Sequence, residues 1–325
     1  MTRDLLLLTD ADRFPFDDGN RAAIAAAGRT VLELDGHDPE RIAAAGDGGA
    51  AALFVYHATV DAALIDRLPQ LRVIARCGSG YDKVDVESAY ARGVEVVYVP
   101  DYGVDDVADH TLALLLACAR RVPSSDRAMR AGLWPPYAEI GTMRRLRGAT
   151  LGLLGFGRIA RAAAERARGF GMELLVHDPA VDARALAAAG ASRADGLGDL
   201  LRRSDALSIH LPLTPSTHRL VGAPELAAMK RGALLVNTSR GEIVDEAALA
   251  AALAGGHLAG AGLDVFEVEP LPQDSPLIGL ESAVVTPHSA AFSEQALAEL
   301  RGRALDDVLR VLAGDLPRDP VPAAR

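Results

Sequence analysis

The stretch Leu151-Gly152-Leu153-Leu154-Gly155-Phe156-Gly157-Arg158-Ile159-Ala160 decides the fold. An apolar run ends in Gly155-x-Gly157-x-x-Ala160, and an Ala-rich stretch of helical composition follows. Each small residue has its own physical task in such a strand–turn–helix. Gly155 permits the tight turn, Gly157 lets backbone approach a pyrophosphate, and Ala160 is small enough for close helix–strand packing. The new helix offers unpaired N–H groups and a positive dipole end to phosphates. The next apolar run ends in His177-Asp178-Pro179, so a carboxylate stands about 20 residues beyond the first glycine, where it can accept both adenosine ribose hydroxyls. It also opposes a 2′-phosphate, and the next basic residue along the chain is Arg184. These residues predict NAD rather than NADP. The plain alternative is a glycine turn between ordinary elements, with Asp178 in a strand-end turn.

Working outward, short apolar runs alternate with Ala-rich helical stretches on both sides of the motif. Before it, strands are predicted at 5–8, 30–34, 51–55, 72–75 and 94–97, with helices such as 20–27 and 86–92 between them. After it, strands are predicted at 150–154, 173–177, 206–210, 233–237, 260–264 and 283–286, with a last helix at about 293–312. This βαβ rhythm implies α/β architecture with two parallel-sheet domains and right-handed crossovers. A long apolar helix is predicted at about 104–121, stopped by Pro123, its apolar residues covering most of its circumference. Residues 124–147, with Trp134, Pro135 and Pro136, read as an irregular arm or subunit contact.

Composition narrows the classes. The chain has 325 residues, half of them hydrophobic, which suits about two domains. Only 4% are aromatic, so the core is built from Ala, Leu and Val. A net charge of −10 argues against nucleic-acid binding and means an anionic substrate needs local donors. Cys77 and Cys118 show no metal spacing and no disulfide framework, and no metal site is expected. No apolar run has membrane length, so the expected location is cytoplasmic, away from membranes.

Three later segments place polar groups where strands end: Asn237-Thr238-Ser239-Arg240-Gly241, Asp264-Val265-Phe266-Glu267-Val268-Glu269-Pro270, and Thr286-Pro287-His288. In open α/β sheets ligands bind beyond the carboxyl ends of the strands, so Arg240, Glu269 and His288 can converge. Together they suit hydride exchange with a 2-oxo acid. Arg grips a carboxylate and polarises the ketone, His moves the hydroxyl proton, and Glu holds the imidazole. Each alone has another reading: Arg240 capping a strand, Glu269 solvated, His288 a satisfied core group.

Taken together, these segments closely resemble the D-isomer-specific 2-hydroxyacid dehydrogenase family. The likeness includes Arg76-Cys77-Gly78-Ser79-Gly80-Tyr81-Asp82-Lys83-Val84-Asp85, Val99-Pro100-Asp101-Tyr102-Gly103, Val107-Ala108-Asp109-His110, His210-Leu211-Pro212-Leu213-Thr214 and Met229-Lys230-Arg231-Gly232. The resemblance implies a Rossmann NAD-binding domain (residues 102–289) inserted in a flavodoxin-like substrate domain (residues 1–101 and 290–325). It implies a site between the domains, and a homodimer formed through the NAD domain. Arg240, Glu269 and His288 would be catalytic. Gly155, Phe156, Gly157, Arg158, Ile159 and Asp178 would hold the dinucleotide. His210, Leu211, Pro212, Thr217, Thr238, Ser239, Arg240, Asp264, His288 and Ala290 would complete the cofactor side. Ser79, Gly80, Tyr102, Arg240 and His288 would contact substrate, although Tyr102 reads equally as an aromatic packed at the hinge. The sequence departs from many relatives at Ser289-Ala290-Ala291-Phe292, where paired glycines or a Trp-Tyr pair stand, and a small Ala291 would enlarge the pocket. The expected function is NAD-dependent hydride transfer between nicotinamide and a small 2-hydroxy or 2-oxo acid. The alternatives are an NAD(H)-sensing corepressor-like protein and a formate- or phosphite-type dehydrogenase of the same fold.

Overall fold

The computed structural model describes residues 4–322, which form two compact units. One unit comprises residues 4–102 with 293–322, and the other comprises Gly103–Phe292.

The first unit is built on β1 (Leu5–Leu8), β2 (Thr30–Glu33), β3 (Ala50–Val55), β4 (Val73–Arg76) and β5 (Glu95–Tyr98). The order is β2-β1-β3-β4-β5 and every described pairing is parallel, which is the flavodoxin-like arrangement. Every residue of β3 is buried, as a central strand covered on both faces requires. One face packs Phe16, Phe54 and Val97 against Leu300, Ala304 and Val308 of the helix Glu294–Ala313. The other packs Leu53 and Ile74 against Ile42, Leu64 and Leu68. The late helix belongs here because Ser293 caps its start and its apolar stripe completes this core.

The second unit carries β6 (Thr150–Leu154), β7 (Glu173–His177), β8 (Ala191–Arg193), β9 (Ala206–Ile209), β10 (Leu234–Asn237), β11 (Gly260–Leu263) and β12 (Ala283–Val285). Their order is β12-β11-β10-β9-β6-β7-β8, all parallel. This is a doubly wound Rossmann sheet, whose strand order reverses between β6 and β9. Small residues bring its layers together. A Cβ on Gly152 would meet Ser204 Oγ at 2.0 Å, and one on Gly262 would meet Leu114 Cβ at 2.7 Å.

Three expectations need correction. The edge strand β8 is not predicted, being three residues long and largely polar. The stretch expected to be irregular from 124 onward contains the helix Val122–Arg130 and a short turn of helix at Tyr137–Ile140. Pro123 does not simply stop the preceding helix, Val104–Arg120. It lies in the first turn of the next helix, where its missing N–H costs nothing, and Arg121 makes the break at φ +56°. The new helix has no buried residue, so no apolar stripe announces it. The helix Val104–Arg120 is buried along a broad face through Val107, Ala108, Leu112, Leu115 and Ala119, while Asp105, Asp109 and Ala113 stay exposed. Cys77 and Cys118 are buried, and burial pushes both thiols up to about 12. No helix among the described residues is long and apolar enough to cross a membrane.

Candidate functional site

The glycine turn sits at the carboxyl end of β6, beside the switch in strand order. Gly155 has φ +89°, and a Cβ there would fall 2.6 Å from the His210 carbonyl oxygen, so only glycine fits. Gly157 is different. Its φ is ordinary and a Cβ would meet nothing within 4 Å, so the space before it is left open to a ligand. The helix Arg158–Gly169 begins with no side-chain cap and no acid in its first turn. Its leading N–H groups are therefore available, with Arg158 exposed and Ile159 half-buried beside them. Ala160 is fully buried against the sheet.

Asp178 ends the next strand as the sequence indicates, but its carboxylate also builds the loop. Oδ2 accepts from Phe156 N–H at 2.8 Å and Oδ1 from Ala180 N–H at 2.9 Å. A basic group stands closer in space than Arg184 does in sequence: Arg193 of β8 donates to the Asp178 backbone oxygen at 3.2 Å and to Val181 O. The sequence hides this neighbour because it hides β8. On the other flank, Phe156 is buried under the Arg161 guanidinium, 4.7 Å from the ring centre.

The residues after β9 form a self-braced loop. His210 Nε2 lies 2.9 Å from Ser208 Oγ, and burial pushes its imidazolium down to about 4, so it is neutral near pH 7. Thr217 Oγ1 donates to Pro212 O at 2.7 Å and accepts from Thr214 N–H at 2.8 Å, so it shapes the backbone beyond Leu211 and Pro212.

After β10, Asn237 sets the loop carrying Arg240. It is buried, takes both the N–H and hydroxyl of Ser239 on Oδ1, and donates through Nδ2 to Arg240 O at 2.8 Å. Thr238 Oγ1 meets Thr111 Oγ1 at 3.0 Å. Arg240 Nη1 donates to Ser239 O at 2.8 Å. The sequence reading gave Asn237 no role, and a buried amide at a strand end is the signal for one.

Asp264 anchors the turn that carries His288. This buried carboxylate accepts the Ser289 and Ala290 N–H groups, each at 2.9 Å, and the Thr286 hydroxyl at 2.5 Å. His110 Nε2 lies 2.9 Å from the same hydroxyl oxygen. These bonds hold His288 at φ +50°, a conformation that costs energy for a non-glycine residue. Its Nδ1 is 2.7 Å from Glu269 Oε2, while Glu269 Oε1 accepts Phe266 N–H at 3.1 Å. Glu269 is thus fixed at one oxygen by backbone and offers the other to imidazole.

Ser79, Gly80 and Tyr102 belong to the other unit. Ser79, exposed, and Gly80 follow β4 in a turn opened by Gly78 at φ +149°. Tyr102 packs, partly buried, on the core that includes Phe16 and Leu300. Ala291, in the second unit, lies against Gly103, where a Cβ would approach its own to 3.0 Å. No group of three or more metal-binding side chains occurs among the described residues.

The switch-point glycine turn and the neighbouring polar strand ends define the class: a Rossmann-type nucleotide-binding chain of the dehydrogenase kind. Comparison with known proteins makes this particular. Residues 112–290 match the family described as D-isomer specific 2-hydroxyacid dehydrogenase, NAD binding domain. D-3-phosphoglycerate dehydrogenase of Mycobacterium tuberculosis is 41% identical over 302 residues, covering 92% of this chain and 56% of that protein. Glyoxylate reductase of Korarchaeum cryptofilum is 41% identical over 262 residues, covering 79% of this chain and 78% of that one. A crystal structure of a Thermus thermophilus protein superposes with a TM-score of 0.89 at 38% identity, covering 98% and 100% of the two chains. The chain belongs to the D-isomer-specific 2-hydroxyacid dehydrogenase family. It spans little more than half the length of the mycobacterial phosphoglycerate dehydrogenases it matches.

Proposed function

We propose that the protein is an NAD-dependent oxidoreductase of small 2-hydroxy and 2-oxo acids. The observation that carries this reading is the His288–Glu269 pair at 2.7 Å, in the unit that also holds the uncapped glycine turn. Bound nicotinamide supplies or accepts the hydride at substrate C2. The chain supplies the rest. Gly155, Phe156, Gly157, Arg158 and Ile159 offer backbone to the pyrophosphate, and Asp178 offers its remaining acceptor capacity to the ribose. Arg240 binds the substrate carboxylate and stabilises charge growing on the carbonyl oxygen. Ser79 and Gly80 add backbone N–H groups, with Tyr102 as a further contact. His288 Nε2 gives the proton in reduction and takes it in oxidation, oriented by Glu269. His210, Leu211, Pro212, Thr217, Thr238, Ser239, Asp264 and Ala290 shape the cofactor side.

NAD is preferred over NADP in this reading because a carboxylate at Asp178 repels a 2′-phosphate, while Arg193 is engaged with backbone oxygens. Two relatives are named for phosphoglycerate and for glyoxylate, which share a 2-hydroxy or 2-oxo carboxylate, and that group is the one this reading assigns to the substrate. The active species is a cytoplasmic homodimer. The test is NADH oxidation with a panel of 2-oxo acids: turnover of at least one is expected, and loss of it in His288→Ala. A protein that binds NADH but reduces none of them is a sensor, not an oxidoreductase.

A further inference from the structure

We propose that Glu246 is a positioning residue for the Glu269–His288 pair, acting through the backbone of residues 266–269. The proposal rests on the hydride-transfer reading for the role of that pair. Glu246 opens the helix Glu246–Ala254, whose start is already capped by Asp245 accepting from Ala248 N–H. Its side chain is therefore not needed for the cap. Instead Oε2 accepts Glu267 N–H at 3.0 Å, and Glu267 answers with Oε1 accepting Glu246 N–H at 3.4 Å. The other Glu267 oxygen takes Arg219 Nη2 at 3.1 Å. Two residues on, Glu269 reaches His288 while its own Oε1 is tied to Phe266 N–H.

The same segment is walled on another side. A Cβ on Gly241 would fall 1.9 Å from the Phe266 carbonyl carbon, so the residue after Arg240 lies directly on this backbone. Residues 266–269 thus have the Gly241 backbone against them and the Glu246 carboxylate holding them. Displacement by a fraction of an ångström at Glu267 would be carried to the carboxylate two residues away. Electrostatics weighs against placing an acid at 246 without purpose. Burial first, and then the negative charges of Glu267, Glu269 and Glu242, hold its carboxyl above the usual carboxylate range. Arg219 pairs with Glu267 rather than with Glu246.

The experiment compares Glu246→Ala with Glu246→Gln in the whole protein. The amide keeps an acceptor oxygen for Glu267 N–H and removes the charge. With a 2-oxo acid that the wild type reduces, Glu246→Ala should lower kcat about tenfold or more, as small misplacements of catalytic groups do, while the KM for NADH stays nearly constant. Glu246→Gln should recover most of the loss. Independently of turnover, the proton NMR signal of the His288 Nδ1–H, assigned by its absence in His288→Asn, should be present in the wild type and Glu246→Gln and lost in Glu246→Ala. An Ala variant that keeps both kcat and the signal overturns the proposal, as does a Gln variant as impaired as Ala. Should the Ala variant not fold, Glu246→Asp replaces it, since it keeps charge and helix start but shortens the reach; full activity there is equally fatal. A wild type inactive on every acid but showing the expected NMR pattern would sink the oxidoreductase reading and leave the brace standing.

Discussion

Single side chains in this protein hold two tasks at once. Asp178 ties the glycine turn through Phe156 N–H, and in the proposed function its carboxylate also binds a ribose. Asp178→Ala is therefore expected to narrow the preference for NADH over NADPH and to weaken binding of both, because a buried backbone donor loses its partner. Steady-state kcat/KM with each cofactor measures this, and equal use of both by the unmodified protein would contradict it. Arg240 is expected to be intolerant of lysine, which lacks the planar two-pronged grip. Arg240→Lys should lower kcat/KM for 2-oxo acids about a hundredfold with little change in NADH affinity, the loss typical of one transition-state donor. An unchanged kcat/KM would remove Arg240 from the site. His210 gives a pH dependence whose sign is fixed. Its folded value of about 4 lies below the ordinary 6.5. The neutral ring is favoured in the folded state, so this stability is full above pH 6.5 and is lost as pH falls through 4. Over that span the apoprotein should lose about 3 kcal/mol from this group. Urea midpoints at pH 7 and pH 4.5 should draw together in His210→Gln; parallel losses in both proteins would assign acid sensitivity to other groups.

At the scale of elements, two turns are set by contacts far away in sequence. The Gly155 turn is closed by the His210 carbonyl at the end of β9, so Gly155→Ala must move backbone rather than a flexible side chain. Adding the left-handed φ, the substitution should cost about 1–2 kcal/mol or more and abolish NADH binding. Calorimetric titration checks the binding, and retained affinity would show that the turn can relax. The His288 turn hangs on Asp264, which satisfies two backbone N–H groups and one hydroxyl from within the core. The same scale explains which elements the sequence shows. β6, β7 and β9 to β11 are apolar runs ending in turn residues, and their predicted bounds differ from the observed ones by a residue or less. β8 and the helix Val122–Arg130 bury little, so neither leaves a hydrophobic period to read.

For the whole molecule, the two units carry separate cores, one around the five-stranded sheet and one around the seven-stranded sheet. NADH should therefore slow hydrogen exchange in the glycine turn, the loop 237–241 and the turn 286–290, and leave β1 and β3 nearly unchanged. Mass spectrometry of exchanged peptides measures it, and protection spread evenly over both sheets would refute a cofactor site carried by the seven-stranded unit.

Sequence alone determined what depends on neighbours along the chain. The glycine motif, the Asp178 that follows it and the alternating apolar runs are local, so they announced parallel sheets and a dinucleotide turn. Tertiary structure decided what depends on distant residues meeting. The order β12-β11-β10-β9-β6-β7-β8 brings the ends of β6 and β9 together, and no local pattern contains that order. The same holds for Arg193 beside Asp178 and for Glu246 behind Glu267. These partners are polar, with no periodicity to mark them, and their role arises only where folding removes water and leaves each donor needing an acceptor.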